Sequence, residues 1–162
     1  MSPESGSRRL PVIVTLVVGL MLSIMPLPDW LQAFRPDWVA LLLIFWSMQL
    51  PRTWSVGFAW IIGIVLDVSY GTLLGQHALA YALAIYIVMT TYKRLRLTPM
   101  WQQAFAVFLL LMIERIITAI VIGATRSQTP DILFWLSPLT GMLLWPWLFI
   151  LLRDVRRKFR MQ

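Results

Sequence analysis

Almost the whole chain between Leu10 and Leu152 is a series of apolar runs, broken only by short segments carrying Pro, Gly, Lys or Arg. Such a chain has too little polar surface to face water on all sides. Charged residues make up 13% of it, about half the ~25% usual in soluble domains. In a bilayer every backbone polar group must be satisfied within the fold, and helices do this segment by segment. A crossing helix needs about 20 apolar residues. The 162 residues therefore hold six helices with short turns and no second domain. The expected fold class is an all-α integral membrane protein, a six-helix transmembrane bundle forming one domain over 1–162.

The punctuation places the spans at about 10–27, 38–50, 54–70, 73–92, 99–124 and 132–152. Arg8 and Arg9 precede the first run like the start of a secretory signal, but no small-x-small triplet follows it. It reads as a retained span. The second run is too short for a ~30 Å hydrocarbon core at ~1.5 Å per residue. It thins the bilayer, extends through Pro36 and Pro51, or joins the third run in a re-entrant hairpin around Leu50-Pro51-Arg52-Thr53. The fourth run stops at Lys93-Arg94.

Lys and Arg set orientation. Alternating ends collect Arg8, Arg9, Arg52, Lys93, Arg94, Arg96, Arg153, Arg156, Arg157, Lys158 and Arg160, leaving only Arg35 and Arg126 on the opposite side. Both termini are expected in the cytoplasm of a cell whose inner membrane holds this multi-pass chain. Trp30, Trp38 and Trp135 fall near the outer interface, and Trp54, Trp101, Trp145 and Trp147 near the inner one, where such rings anchor. Pro28-Asp29-Trp30 recurs as Pro36-Asp37-Trp38 and brackets the first outer loop. It reads as two similar solutions to one boundary problem.

Ionisable groups inside a span cost roughly 2.5–3.5 kcal/mol each, so the few present carry information. They are Asp67, His77, Glu114 and Arg115. Counting at ~1.5 Å per residue from Trp54, Tyr92 and Trp101 puts Asp67, His77 and Arg115 about 20 Å above the inner boundary. Asp67 is expected to pair with Arg115 or His77, with Gln76 nearby. Glu114 and Arg115 point ~100° apart on their helix; one faces the interior and the other is available to a second membrane protein. A structural clasp, a partner contact and a ligand or proton site all remain open for this layer. Gly71-Thr72-Leu73-Leu74-Gly75 reads as a tight turn in which Gly71 and Gly75 supply positive φ; with Gly57 and Gly63 they favour close helix packing.

At the C-terminal end Arg153, Arg156, Arg157, Lys158 and Arg160 follow the last span at helical spacing. They suit anionic lipid, or a cytoplasmic protein, and the placement of every basic cluster beside the membrane argues against nucleic acid. With no Cys and a single His, thiol catalysis, disulfides and a zinc centre are not expected. No nucleophile–base set, HExxH or phosphate loop is present. No enzyme, cofactor or metal is expected.

Several stretches carry a family resemblance: Phe34-Arg35-Pro36-Asp37-Trp38, Gly63-Ile64-Val65-Leu66-Asp67 with the Gly71–Gly75 turn, Met100-Trp101-Gln102-Gln103-Ala104, and Leu144-Trp145-Pro146-Trp147 running into Arg156-Arg157-Lys158-Phe159. In this order, across the chain, they resemble the MreD family of rod shape-determining proteins. The resemblance implies a non-enzymatic scaffold that binds the single-span protein MreC in the cell-wall elongation complex. It implies indirect links to MreB, RodA and an elongation penicillin-binding protein. It also implies a fold similar to the substrate-binding subunits of vitamin transporters, with Asp67, Gly71 and Gly75 organising the bundle. A small-ligand-binding transporter subunit is the alternative, and a homodimer is left open. A closed pocket at the polar layer would favour the transporter; a filled interior with an exposed apolar groove would favour the scaffold.

Overall fold

The computed structural model describes residues 4–52 and 54–159. Its helices are α1 Glu4–Ile24, α2 Asp29–Gln32, α3 Trp38–Gln49, α4 Val56–Tyr70, α5 Gln76–Leu97, α6 Met100–Arg126 and α7 Ser137–Lys158, with a 3-10 segment at Ile132–Leu136. No strand occurs among the described residues.

The short helix α3 is the centre. Every residue from Val39 to Met48 is buried, as expected of a helix that is apolar all round. It touches α1, α5, α6 and α7, while α4, α5, α6 and α7 pack in chain order. At ~1.5 Å per residue α3 is about 18 Å long, well short of a hydrocarbon core. Its surroundings explain the short length: the longer helices around it meet the lipid, and α3 fills the space between them. Its aromatic residues lock it in place, with Phe45 edge-on to Trp46 at 5.2 Å and to Phe149 of α7 at 5.5 Å.

Small residues set the closest approaches. A Cβ on Gly19 of α1 would lie 2.4 Å from Leu42 Cδ1, and one on Gly141 of α7 would lie 2.5 Å from Leu111 Cδ1. Gly63 is tighter still: a Cβ there would sit 2.3 Å from Ala78 Cα and 2.5 Å from its nitrogen. Here α4 touches the backbone of α5 itself.

Boundaries differ from the sequence reading in identifiable ways. Helix α5 begins at Gln76 and runs on to Leu97; Lys93 and Arg94 do not end it, because basic residues suit the last turn of a helix. Pro99 forces the break instead. The last helix continues through the basic residues to Lys158. Trp54 and Trp145, expected as interfacial anchors, are core residues at 7% and 0% exposure, whereas Trp101 and Trp147 are exposed. Proximity to a span end does not reveal which way a ring points. The two Pro-Asp-Trp triplets are also unlike in structure: Asp37 caps α3, whereas Asp29 lies inside the four-residue α2 and is exposed.

Candidate functional site: a buried polar layer at one end of the helices

Asp67 stands in the last turn of α4, one turn beyond Gly63 on the same face. The contact at Gly63 brings this face onto the start of α5. Helix α5 opens at Gly75, which has no side chain to cap it and is held at φ 100°. Its first amides therefore need acceptors from elsewhere. Asp67 supplies them. Its Oδ2 accepts from Gly75 N at 2.9 Å, and its Oδ1 from His77 N at 3.0 Å and the Thr72 hydroxyl at 2.9 Å. Oδ1 also lies 2.7 Å from His77 Nδ1. The carboxylate is fully buried. A negative charge at a helix N-terminus is favourable in itself, which offsets burial here.

The connection is built for this. Gly71 adopts φ 63°, Thr72 N donates to Asp67 O at 3.0 Å and Gly71 N to Val68 O at 3.3 Å, the two bonds of a Schellman ending. No atom lies within 4 Å of a Cβ built at Gly71 or Gly75. Their role is conformational, because an L side chain rarely adopts such φ values. Gln76 is buried in the first turn of α5.

Glu114 and Arg115 form a second unit on α6. Glu114 is 2% exposed; Thr118 donates to its Oε1 at 3.1 Å, and Arg115 Nε lies 3.5 Å from its Oε2. The Arg115 guanidinium donates to the Ser137 hydroxyl at 2.9 Å and stacks over the Phe134 ring, 4.5 Å from its centroid. Asp67 thus pairs with His77 and not with Arg115. Arg115 is held by its own chain. The two side chains meet although their helical positions are ~100° apart, because an Arg side chain is long enough to turn back onto its neighbour.

Three further side chains tie the helices together at this end. The Tyr81 hydroxyl lies 2.8 Å from both oxygens of Asp37, which also accepts from Ala40 N at 3.0 Å. One carboxylate therefore caps α3 and ties it to α5. Arg35 donates to the carbonyls of Leu22, at 3.0 Å, and Met25, and the Tyr70 hydroxyl donates to Ser23 O at 2.9 Å. Both satisfy the last carbonyls of α1, which have no intrahelical donor. The signal for Asp37 was legible: an Asp immediately before an apolar run is an N-cap pattern. At the other end of the helices Arg153, Arg157 and Lys158 are exposed, and Arg156 donates to Gln49 Oε1. Arg160 lies outside the described residues. No group of three or more metal-ligating side chains occurs among the described residues.

Every helix but α3 turns apolar side chains outward, among them Val18, Ile61, Leu79, Leu109 and Leu143, while the carboxylates Asp67 and Glu114 lie inside. Helices α6 and Ile132–Lys158 are long and apolar enough to cross a bilayer. An apolar exterior around internal charged groups that are paired within the chain defines an all-helical, multi-pass integral membrane protein.

The family model for rod shape-determining protein MreD matches residues 7–155. The rod shape-determining protein MreD of Haemophilus influenzae is 31% identical over 145 residues, covering 90% of each chain. The chain belongs to the MreD family. It is accordingly a bacterial inner-membrane protein and a non-enzymatic scaffold subunit of the cell-wall elongation machinery. No solved structure matches it.

Proposed function

We propose that this chain supports rod shape by docking the transmembrane helix of MreC from within the bilayer, and so contributes to an assembly containing MreB, RodA and an elongation penicillin-binding protein. The observation that carries this reading is the filled polar layer. Asp67, Glu114 and Asp37 find their partners within the chain, and the space beside Glu114 and Tyr81 amounts to ≈ 10 Å³. A buried water needs about that much, and a ligand site is typically 300–1,000 Å³. A space of that size beside Glu114 and Tyr81 does not suit a transport subunit of the vitamin-transporter kind, and favours recognition at the lateral helix surface.

In this reading α1, α3, α4, α5, α6 and α7 form a six-span bundle with both termini cytoplasmic. Arg52, Lys93, Arg94, Arg96, Arg153, Arg156, Arg157 and Lys158 share the inner side, as the positive-inside rule requires. The basic end of α7 meets anionic lipid there, at about 1 kcal/mol per charge. Asp67, Gln76, His77, Glu114 and Arg115 hold the helices in register and have no chemical task. The test is depletion of the protein in its host with co-purification of MreC on a tagged copy. Rods that round up, with MreC retained on the tag, support the reading. Rods that persist, together with loss of uptake of a small nutrient, defeat it.

A further inference from the structure

A groove of ≈ 230 Å³ opens between α1 and α7, with Val14 and Val18 on one wall, Trp147 and Leu151 on the other, and Leu42 of α3 in the floor. Thr15 also lines it, but its hydroxyl is engaged, donating to Val12 O at 2.9 Å and accepting from Trp46 Nε1 at 3.0 Å. The surface offered is therefore apolar throughout.

The groove ends in positive charge. Residues seven apart on a helix share a face. Lys158 thus follows Leu151 along α7, and Gln49, which holds Arg156, follows Leu42 along α3. Asp154 follows Trp147 in the same way and is the single acid of this stretch, so Arg156 and Lys158 leave the foot net positive. An apolar slot with a cationic foot matches one kind of molecule in a membrane.

We propose that this groove seats one acyl chain of an anionic phospholipid, with the phosphate resting on the basic foot. Size favours a chain over a helix. At the ~10–15 Å³ of such space that one water-sized group needs, the slot takes roughly 15–20 of them, the size of one acyl chain. A helix is ~10–12 Å across and could only lie over the opening. That the foot faces the cytoplasmic leaflet rests on the orientation proposed above.

The test is native mass spectrometry of the full chain in micelles titrated with phosphatidylglycerol or phosphatidylethanolamine. Phosphatidylglycerol is expected to be retained in preference to phosphatidylethanolamine. Val18→Trp fills the slot and abolishes retention while the unfolding temperature holds; if that variant does not fold, Leu151→Trp fills it from the other wall. The variant K158Q keeps lipid in the slot but weakens the preference by about fivefold. Equal retention of the two lipids by the unaltered protein overturns the proposal, as does undiminished phosphatidylglycerol on a folded slot-filled variant. Loss of MreC from Val18→Trp with lipid retention unchanged makes the groove a helix seat and also overturns it. An error in orientation would leave micelle binding untouched and appear only in the labelling experiment described below.

Discussion

Oδ1 of Asp67 lies 2.7 Å from the His77 ring nitrogen and 3.0 Å from the backbone nitrogen of the same residue. One oxygen thereby fixes both the first turn of α5 and the ring that projects from it, between Tyr70 and Tyr81 at centroid distances of 5.7 and 6.0 Å. The relationship separates two roles that mutation can tell apart, because the backbone bond survives loss of the imidazole.

Asp67→Ala removes an N-terminal cap, usually worth about 0.5–2 kcal/mol, together with charge-assisted bonds worth about 1.5–3 kcal/mol. It is expected to lower the unfolding temperature in detergent more than Asp67→Asn, which keeps an acceptor, and more than His77→Ala, which keeps the backbone donor. Arg115 retains Glu114 in all three. Thermal unfolding followed by circular dichroism ranks them; a loss from His77→Ala as large as from Asp67→Ala would contradict the capping role.

Gly63→Ala places a methyl against the Ala78 backbone, which cannot swing aside as a side-chain tip can. The helices must separate, and the expected loss is about 1–3 kcal/mol. Gly141→Ala meets only the end of Leu111 and should lose less, and Gly123→Ala, with open space around it, should not destabilise. Unfolding temperatures that fail to follow this order would count against the close contact of α4 and α5.

Asp37 and Tyr81 join α3 to α5 across forty-four residues of chain. Tyr81→Phe is expected to cost about 1–3 kcal/mol by stripping a partner from a half-buried carboxylate. In a double-mutant cycle with Asp37→Ala the losses should not add, with a coupling of about 0.5–3 kcal/mol. Additive losses would mean that the hydroxyl and the carboxylate act independently.

How far the sequence discloses this layer depends on what makes each residue conspicuous. Asp67, His77, Glu114 and Arg115 stand out because a charged group within an apolar run is expensive wherever it points. Their pairing was only half legible. Counting residues gives height along a helix but not azimuth, so Arg115 looked as close to Asp67 as His77 did. Gly71 and Gly75 declared a turn through their spacing. The backbone contact at Gly63 did not show, because a glycine in an apolar run looks the same whether it meets a neighbour or open lipid. Asp37 lay in a polar loop, where an acid needs no explanation, and its bond to Tyr81 is a tertiary fact. Trp145 and Trp54 misled for the same reason in reverse: position near a span end predicts an anchor, and only packing shows that both rings are buried.

Orientation rests on the distribution of Lys and Arg, and this chain permits a direct reading because it has no cysteine. Single cysteines introduced at exposed positions become unique labels. Phe159→Cys and Arg96→Cys lie at the basic ends of α7 and α5, and Gln128→Cys lies in the segment joining α6 to the 3-10 turn; all three positions are exposed. None of the three residues makes a contact described above, so folding should be retained. In intact cells with a permeable outer membrane, a membrane-impermeant maleimide is expected to label Gln128→Cys alone. After the inner membrane is opened, it should label all three. Labelling of Phe159→Cys before lysis would reverse the chain in the bilayer, turning the basic foot of the groove toward the outer leaflet. Labelling of Phe159→Cys and Gln128→Cys from the same side would remove the single crossing between Gln128 and Phe159, and with it the six-span arrangement.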